Sequence, residues 1–525
     1  MSDAAASTLD SSEENRSLRA FADEASRRPV LLLLVSAAAW LLVASVLGFM
    51  ASVKGHASDL FATSDLAFLH YGRLKPAFQT AFLYGWCFTA GLGVSYWIMA
   101  RLCKTGIKKR HWILWGIFLW NILVTVAVLS ILLGGSTSYE WLAFPDWLWV
   151  PMLVAFLLIA VAPVILYQIR RPGTSFVSQL YILGACLWFP VLFLGANFAI
   201  RHAGAIGVMG PATNSWYVSG VLFLFLVPMG LASAYYMIPK ITGRPIHSYQ
   251  LARLGFWSLA LFGGWSGMQR YLGGPLPTWI TAIAAVAGIL LLIPVVVVAV
   301  NHHQSTKGSH ARMVDSPTMR FTVFGGFCFT AFGVLSFLLS MLWSGKTFQF
   351  GFAQEGLQML GAYGFFTMVM FGAFYFILPR LSACEWPSAR LINLHFLLSM
   401  WGVLFMISMM LFGGMLQGQG ANMKYQPAAD ALYTDGETDP NSPQIPGRPE
   451  GYVNWERDHY QATSYTAWTR RGVSFTWLLL SGANLVFFVH VILMALRLGR
   501  KSPEPTLLGH AHAPTAPQVS GGAAH

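Results

Sequence analysis

The sequence predicts an all-α polytopic membrane protein, a bundle of twelve transmembrane helices, and three observations predict it. Of its 525 residues, 55% are hydrophobic and only 10% are charged, against roughly 25% charged in an ordinary soluble domain. The apolar residues gather in twelve stretches, each near the ~20 residues that carry a helix across a bilayer. The charges lie between these stretches, and too few remain to coat a soluble globule of this length.

In chain order, residues 1–28 form a polar tail with no apolar stretch and cleavage site close behind, so they read as a cytoplasmic tail and not a signal peptide. The membrane domain covers 29–497, with spans over 29–53, 76–100, 112–134, 147–169, 176–200, 215–239, 251–270, 278–300, 320–343, 357–379, 391–416 and 472–496. Pro29, Pro76 and Pro277 mark starts, and Pro239 and Pro379 mark ends, where a proline's missing N–H does least harm. Trp141, Trp147, Trp149, Trp216 and Tyr217 cluster near span ends, as an aromatic belt requires. The segment 417–471 is the one sizeable outer loop, rich in Pro, Gly and Asp, and 498–525 is a flexible tail whose His510, His512 and His525 are inert.

Orientation follows from the basic residues. With the N-terminus inside, 22 of the 33 Lys and Arg face the cytoplasm and 11 face outward, five of these in the long loop that counts little for topology. Both termini are therefore expected to be cytoplasmic. No Lys or Arg is left deep in a span, and among the acids only Asp146 and Glu355 come near one. Transport through an intramembrane carboxylate is disfavoured on that ground. The basic residues are scattered over short loops, which excludes nucleic acid as a partner and leaves the lipid bilayer. Five cysteines (Cys87, Cys103, Cys186, Cys328, Cys384) form no C-x-x-C pair and read as small core residues.

Several stretches resemble subunit I of the heme-copper oxidases, most of all the cbb3-type cytochrome c oxidases. GRLKP (72–76) resembles that family's basic entry to the second helix. SWYVSGVLFLFLVPMGLASAYYMIPK (215–240), RPIHSYQL (244–251) and GFWSLALFGGWSG (255–267) resemble its sixth helix, the following loop and the seventh helix. FGAFYFILP (371–379) and LINLHF (391–396) resemble the end of the tenth helix and the start of the eleventh. The resemblance runs from about residue 30 to residue 497. It implies a twelve-helix bundle of the heme-copper oxidase subunit I type in an energy-transducing bacterial plasma membrane.

That resemblance also implies positions for a low-spin heme, a high-spin heme and copper, each held by imidazoles projecting into a dry core. Phe78 stands where the second helix supplies a heme ligand, and Leu357 and Met359 stand at the tenth-helix heme-ligand pair. Ser219, Gln269 and Arg270 stand at copper-ligand positions, and Gly263 at the redox-active tyrosine of the cbb3 type. Each has lost the family's residue. Met359 is the single substitute whose thioether can ligate heme iron, though a packing role is the ordinary one for Met. Among histidines near spans, His395 belongs to a structural Leu-His-Phe stretch, His111, His202, His302 and His303 lie at helix ends, and isolated His490 reads as a satisfied polar residue. His70 lies eight residues before Phe78, about 12 Å away along a helix and too far to substitute for it.

The expectation is a membrane subunit of a respiratory or electron-transfer complex that keeps the oxidase body without heme or copper and is non-catalytic. It would work with membrane or c-type cytochrome partner subunits, docking an extracytoplasmic one through 417–471. Two alternatives stay open. One is a catalytic subunit that reduces dioxygen with electrons from cytochrome c, carrying heme b and copper. The other is a twelve-helix solute transporter, which predicts an internal repeat that the sequence lacks.

Overall fold

The computed structural model describes residues 2–60, 66–107, 110–173, 175–202, 207–349, 351–422 and 450–508. Among these residues helices dominate, and the one β contact is an isolated antiparallel bridge between Glu385 and Arg500. The middle of the expected outer loop, 423–449, and the tail from residue 509, with its three histidines, lie outside the described residues.

Among the described residues, twelve helical stretches fall on the expected spans. We label them α1 (Ser2–Lys54), α2 (Tyr71–Thr80 continuing through Ala81–Phe88 into Thr89–Cys103), α3 (His111–Leu132), α4 (Trp149–Gln168), α5 (Val177–Arg201) and α6 (Met209–Thr242). The second half comprises α7 (Tyr249–Gly263), α8 (Thr278–Thr306), α9 (Pro317–Leu339), α10 (Phe352–Ser382), α11 (Ala389–Asn422) and α12 (Glu450–Ala495). Ten of them are long and apolar enough to cross a membrane. The other two, α2 and α7, fall short for different reasons.

In α7, the Gly-Gly-Trp-Ser-Gly run ends the helix after 15 residues, and Gly267 takes φ 113°, a backbone angle that side chains rarely permit. The expected span 251–270 is thus shorter, and Gln269 and Arg270 lie in a separate 3-10 turn, Met268–Tyr271. In α2, Gln79, Thr80, Tyr84 and Thr89 dilute the apolar run; Tyr84 and Thr89 are buried in protein, where their hydroxyls find partners that lipid does not offer. The polar stretch expected as a tail is helical from Ser2, and Asp23 fastens it to α2: Arg101 Nε pairs with its carboxylate at 2.7 Å and Trp97 Nε1 donates to it at 3.0 Å.

Burial sorts the helices into a centre and a ring. The most apolar windows of α6 and α10 are 100% and 94% buried, whereas those of the other eight passes are 39–44% buried. Almost every residue of α2 from Ala77 to Ala100 is buried as well. The ring presents large apolar side chains outward, such as Trp115, Phe118, Leu187 and Phe327, as a lipid-facing surface should. The three central helices share one more property: each carries a π-helical segment, Ala81–Phe88, Leu222–Leu226 and Leu360–Thr367. In two of these a threonine closes the widened turn by donating five residues back, Thr89 Oγ1 to Tyr84 O at 3.2 Å and Thr367 Oγ1 to Ala362 O at 2.9 Å. Trp86 Nε1 then donates across to Thr367 Oγ1 at 2.8 Å, joining α2 to α10. Wide turns of this kind recur at functional sites.

Candidate site at the centre of the bundle

The positions marked by the resemblance lie immediately before these π segments: Phe78 before Ala81, Ser219 before Leu222, Leu357 and Met359 before Leu360. The bundle core therefore brings three helices together at one depth, and the residues there decide what the space holds.

On the α2 side a ladder of rings packs the core, and its first members, Phe78 and Trp477, also border an open cavity. Phe78 packs edge-on against Trp477 with centroids 4.9 Å apart and stacks on Phe82 at 5.9 Å. Phe82 stacks on Tyr363 at 5.8 Å with the rings nearly parallel. Tyr363 Oη donates to Asn484 at 2.8 Å, and Asn484 donates to Ser45 at 2.8 Å, so the ladder is tied polar-to-polar across α10, α12 and α1. On the α6–α7 side, Phe223 stacks on Phe332 at 5.0 Å. Ser219 and Ser266 share a hydrogen bond of 2.7 Å. A side chain at Gly263 would begin 2.8 Å from Leu224, so no room is kept there for the tyrosine of the cbb3 type. The cavity left on this side, lined by Ser219, Phe223, Gln269, Arg270, Phe332 and Leu357, holds about 40 Å³. That suffices for a few waters and is far below the 300–1,000 Å³ of sites for drug-sized molecules.

The larger cavity, about 960 Å³, opens at the end of the bundle that carries Lys54, Lys75 and Glu140; we call this the far end, and the end with Asp23 and Arg101 the near end. Phe78, Val473, Trp477 and Met410 form its apolar floor. Its polar side converges from distant parts of the chain. Lys75 of α2 pairs with Glu355 of α10 at 2.8 Å. Glu140, from the loop between α3 and α4, accepts from Gln79 and Gln358 at 3.2 Å each, and Asn214 grips its backbone N–H and carbonyl at 2.9 and 2.7 Å. Arg270 lines both cavities. Burial pulls its pKa below the ordinary guanidinium value, and Glu140 opposes that pull.

The structure brings Arg270 and Phe78 to the larger cavity and Ser219, Gln269, Arg270 and Leu357 to the smaller one. Met359 is buried and lines neither, so it does not face Phe78 across one open space. Glu140, Trp477 and the Lys75–Glu355 pair went unmarked by the sequence reading. Glu355 at a span edge and Lys75 in the basic GRLKP entry were the available signals, but nothing local shows that they meet. His395 accepts or donates at Nδ1 to Tyr375 Oη at 2.8 Å, in keeping with a structural role. His490, expected to be satisfied, is buried with neither ring nitrogen meeting a protein partner. The chemistry of the donors does not fit axial or three-imidazole ligation: the two cavities are lined without histidine, and among the described residues no three His, Cys, Asp or Glu side chains group as a metal site.

Comparison with known proteins identifies the scaffold. The family model described as cytochrome c and quinol oxidase polypeptide I matches residues 28–436. A cytochrome c oxidase subunit 1 homolog of Agrobacterium tumefaciens (strain T37) is 25% identical over 393 residues, 71% of each chain. The cbb3-type cytochrome c oxidase subunit CcoN1 of Stutzerimonas stutzeri is 26% identical over 376 residues, 68% of this chain and 77% of its own. A heme-copper terminal oxidase dimer solved by cryo-EM shares the fold with a TM-score of 0.68, 15% identity, and coverage of 93% of this chain and 88% of its own. With an integral membrane bundle of this shape and a family match over most of its length, the chain belongs to the cytochrome c and quinol oxidase polypeptide I family, the heme-copper oxidase subunit I proteins.

Proposed function

We propose that this chain is a membrane subunit of a respiratory complex that has kept the oxidase body and given up heme and copper, and so does not itself reduce dioxygen. The observation that carries this reading is the filled space on the α6–α7 side. Phe223 and Phe332 leave about 40 Å³ beside Ser219, Gln269 and Arg270, the residues at the copper-ligand positions that the resemblance implies, and Leu224 closes the space at Gly263. On this side the interior is close-packed and leaves no space of porphyrin size, in contrast to the open far-end cavity. The residues at the implied ligand positions support the same conclusion, since Phe78, Leu357, Ser219 and Gln269 offer no imidazole, and a guanidinium at Arg270 repels a copper ion. Its contribution to a complex is then structural: a helical bundle that presents its far end to a partner subunit, with 417–471 as the segment expected to dock it.

The test is the pigment and metal content of the full-length chain purified from its native membrane. The expected result is a reduced-minus-oxidised spectrum without Soret or alpha bands and less than about one tenth of an equivalent of iron or copper by mass spectrometry. Heme at one equivalent per chain overturns the reading.

A further inference from the structure

The far-end cavity carries an excess of positive charge over an apolar floor. Lys54, Lys75, Arg270 and Arg470 line it against the two carboxylates of Glu140 and Glu355, which leaves two positive charges without a counter-charge. Lys75 and Glu355 neutralise each other at 2.8 Å. Glu140 is occupied by the amides of Gln79 and Gln358, and Arg270, although within its field, makes none of the described ion pairs. Lys54 and Arg470 lean on backbone oxygens instead: Lys54 Nζ donates to Ser58 O at 2.9 Å and to Leu60 O, and Arg470 Nη1 donates to Gly55 O at 3.0 Å. The floor of Phe78, Val473, Trp477 and Met410 adds a wall that water does not solvate well.

A cavity of about 960 Å³ with this division suits a molecule with two unlike ends. Guanidinium groups pair with carboxylates, sulfonates and phosphates through two parallel N–H donors, and a partly desolvated site makes that contact stronger than it is in water. We infer that the far-end cavity binds a small amphiphilic organic anion, its acid group between Arg270 and Arg470 and its apolar body against Phe78 and Trp477. The inference rests on the metal-free reading, because heme in this space would leave no room for another occupant.

The experiment uses the full-length chain in nanodiscs of zwitterionic lipid, with heme content measured on the same preparation. The probes are anilinonaphthalene sulfonate and phenylnaphthylamine, which share a ring system and differ by the sulfonate. The sulfonate is expected to bind at one saturable site about tenfold more tightly than the neutral dye, the effect of one charge-assisted contact. Arg270→Gln removes that preference, Ala51→Phe at the cavity wall abolishes binding of both dyes, and Arg253→Gln, on the exposed surface of α7, changes nothing. Displacement of the dye by phosphatidylglycerol in the disc places the natural anion in the bilayer, and displacement only by decanoate added from water places it in the aqueous phase. Equal affinity for the two dyes, indifference to Arg270→Gln in a correctly folded variant, or no displacement by either acid would overturn the inference. Failure in heme-free protein leaves the metal-free reading standing, whereas stoichiometric heme removes both.

Discussion

At the scale of single residues, Phe78 shows what stands where the resemblance implies a heme ligand. Its ring is 5% exposed, wedged between Phe82 and Trp477, and the Cα of Gly48 comes so close that an added Cβ would lie 3.0 Å from it. A ring held on three sides is a packing element, and its removal leaves a hole that these neighbours cannot close. Phe78→Ala is therefore expected to cost about 3–5 kcal/mol, read as a large fall in the thermal unfolding midpoint of the purified protein. Phe118→Ala, 58% exposed toward lipid, should leave the midpoint within a degree or two. Equal shifts for the two would mean that the Phe78 environment is not close-packed. The sequence disclosed which residue stands at each implied ligand position, because a missing histidine is visible in one dimension. It did not disclose Glu140, which reads as one more loop acid in GSTSYEW until Gln79, Asn214 and Gln358 are folded around it.

At the scale of helices, existence was legible and ends were less so. The apolar runs located the helices, ten of which are long and apolar enough to cross a membrane, because a bilayer demands apolar length whether a helix faces lipid or the bundle core. They overran α7, where Gly267 at positive φ turns the chain before Arg270, and they gave no hint of π turns, whose signal is a hydrogen-bond register and not a composition. Contacts between helices were also hidden. At Gly414 of α11, an added Cβ would sit 2.3 Å from the backbone nitrogen of Ala353, at the start of α10. Backbone cannot swing aside as a side chain can, so Gly414→Ala must push the two helices apart. At Gly326 of α9 nothing lies within 4 Å of the added carbon. There alanine should be neutral or stabilising by up to about 1 kcal/mol through helix propensity. A paired measurement of thermal midpoint and detergent-solubilised yield should show a severe loss for Gly414→Ala and none for Gly326→Ala. Similar behaviour of the two variants would refute the close approach of α10 and α11.

At the scale of the molecule, the charges divide the bundle into unlike ends. The near end holds Asp23 paired with Arg101, and Arg380 lies within the field of both. The chain's last described segment returns to this end: Arg500 exchanges two backbone hydrogen bonds with Glu385 at 2.8 Å, and Leu508 N donates to Asp315 O at 2.8 Å. Described residues near both ends of the chain thus lie at the same end of the bundle, as the expected even number of crossings predicts. Lys54, Lys75 and Arg470 sit at the other end with Glu140 and Glu355, and the cations there are partly neutralised. Cationic loops are held back on the cytoplasmic side during insertion, and with the N-terminus inside 22 of the 33 Lys and Arg fall on that side, which predicts that the near end faces the cytoplasm. Alkaline phosphatase fused after residue 508 should then be inactive, and the same enzyme inserted at residue 430 should be active; green fluorescent protein at the two sites should give the converse pattern. Active phosphatase at the C-terminal site would invert the bundle. It would also turn the far-end cavity toward the cytoplasm, and the anion it meets would have to be drawn from inside the cell.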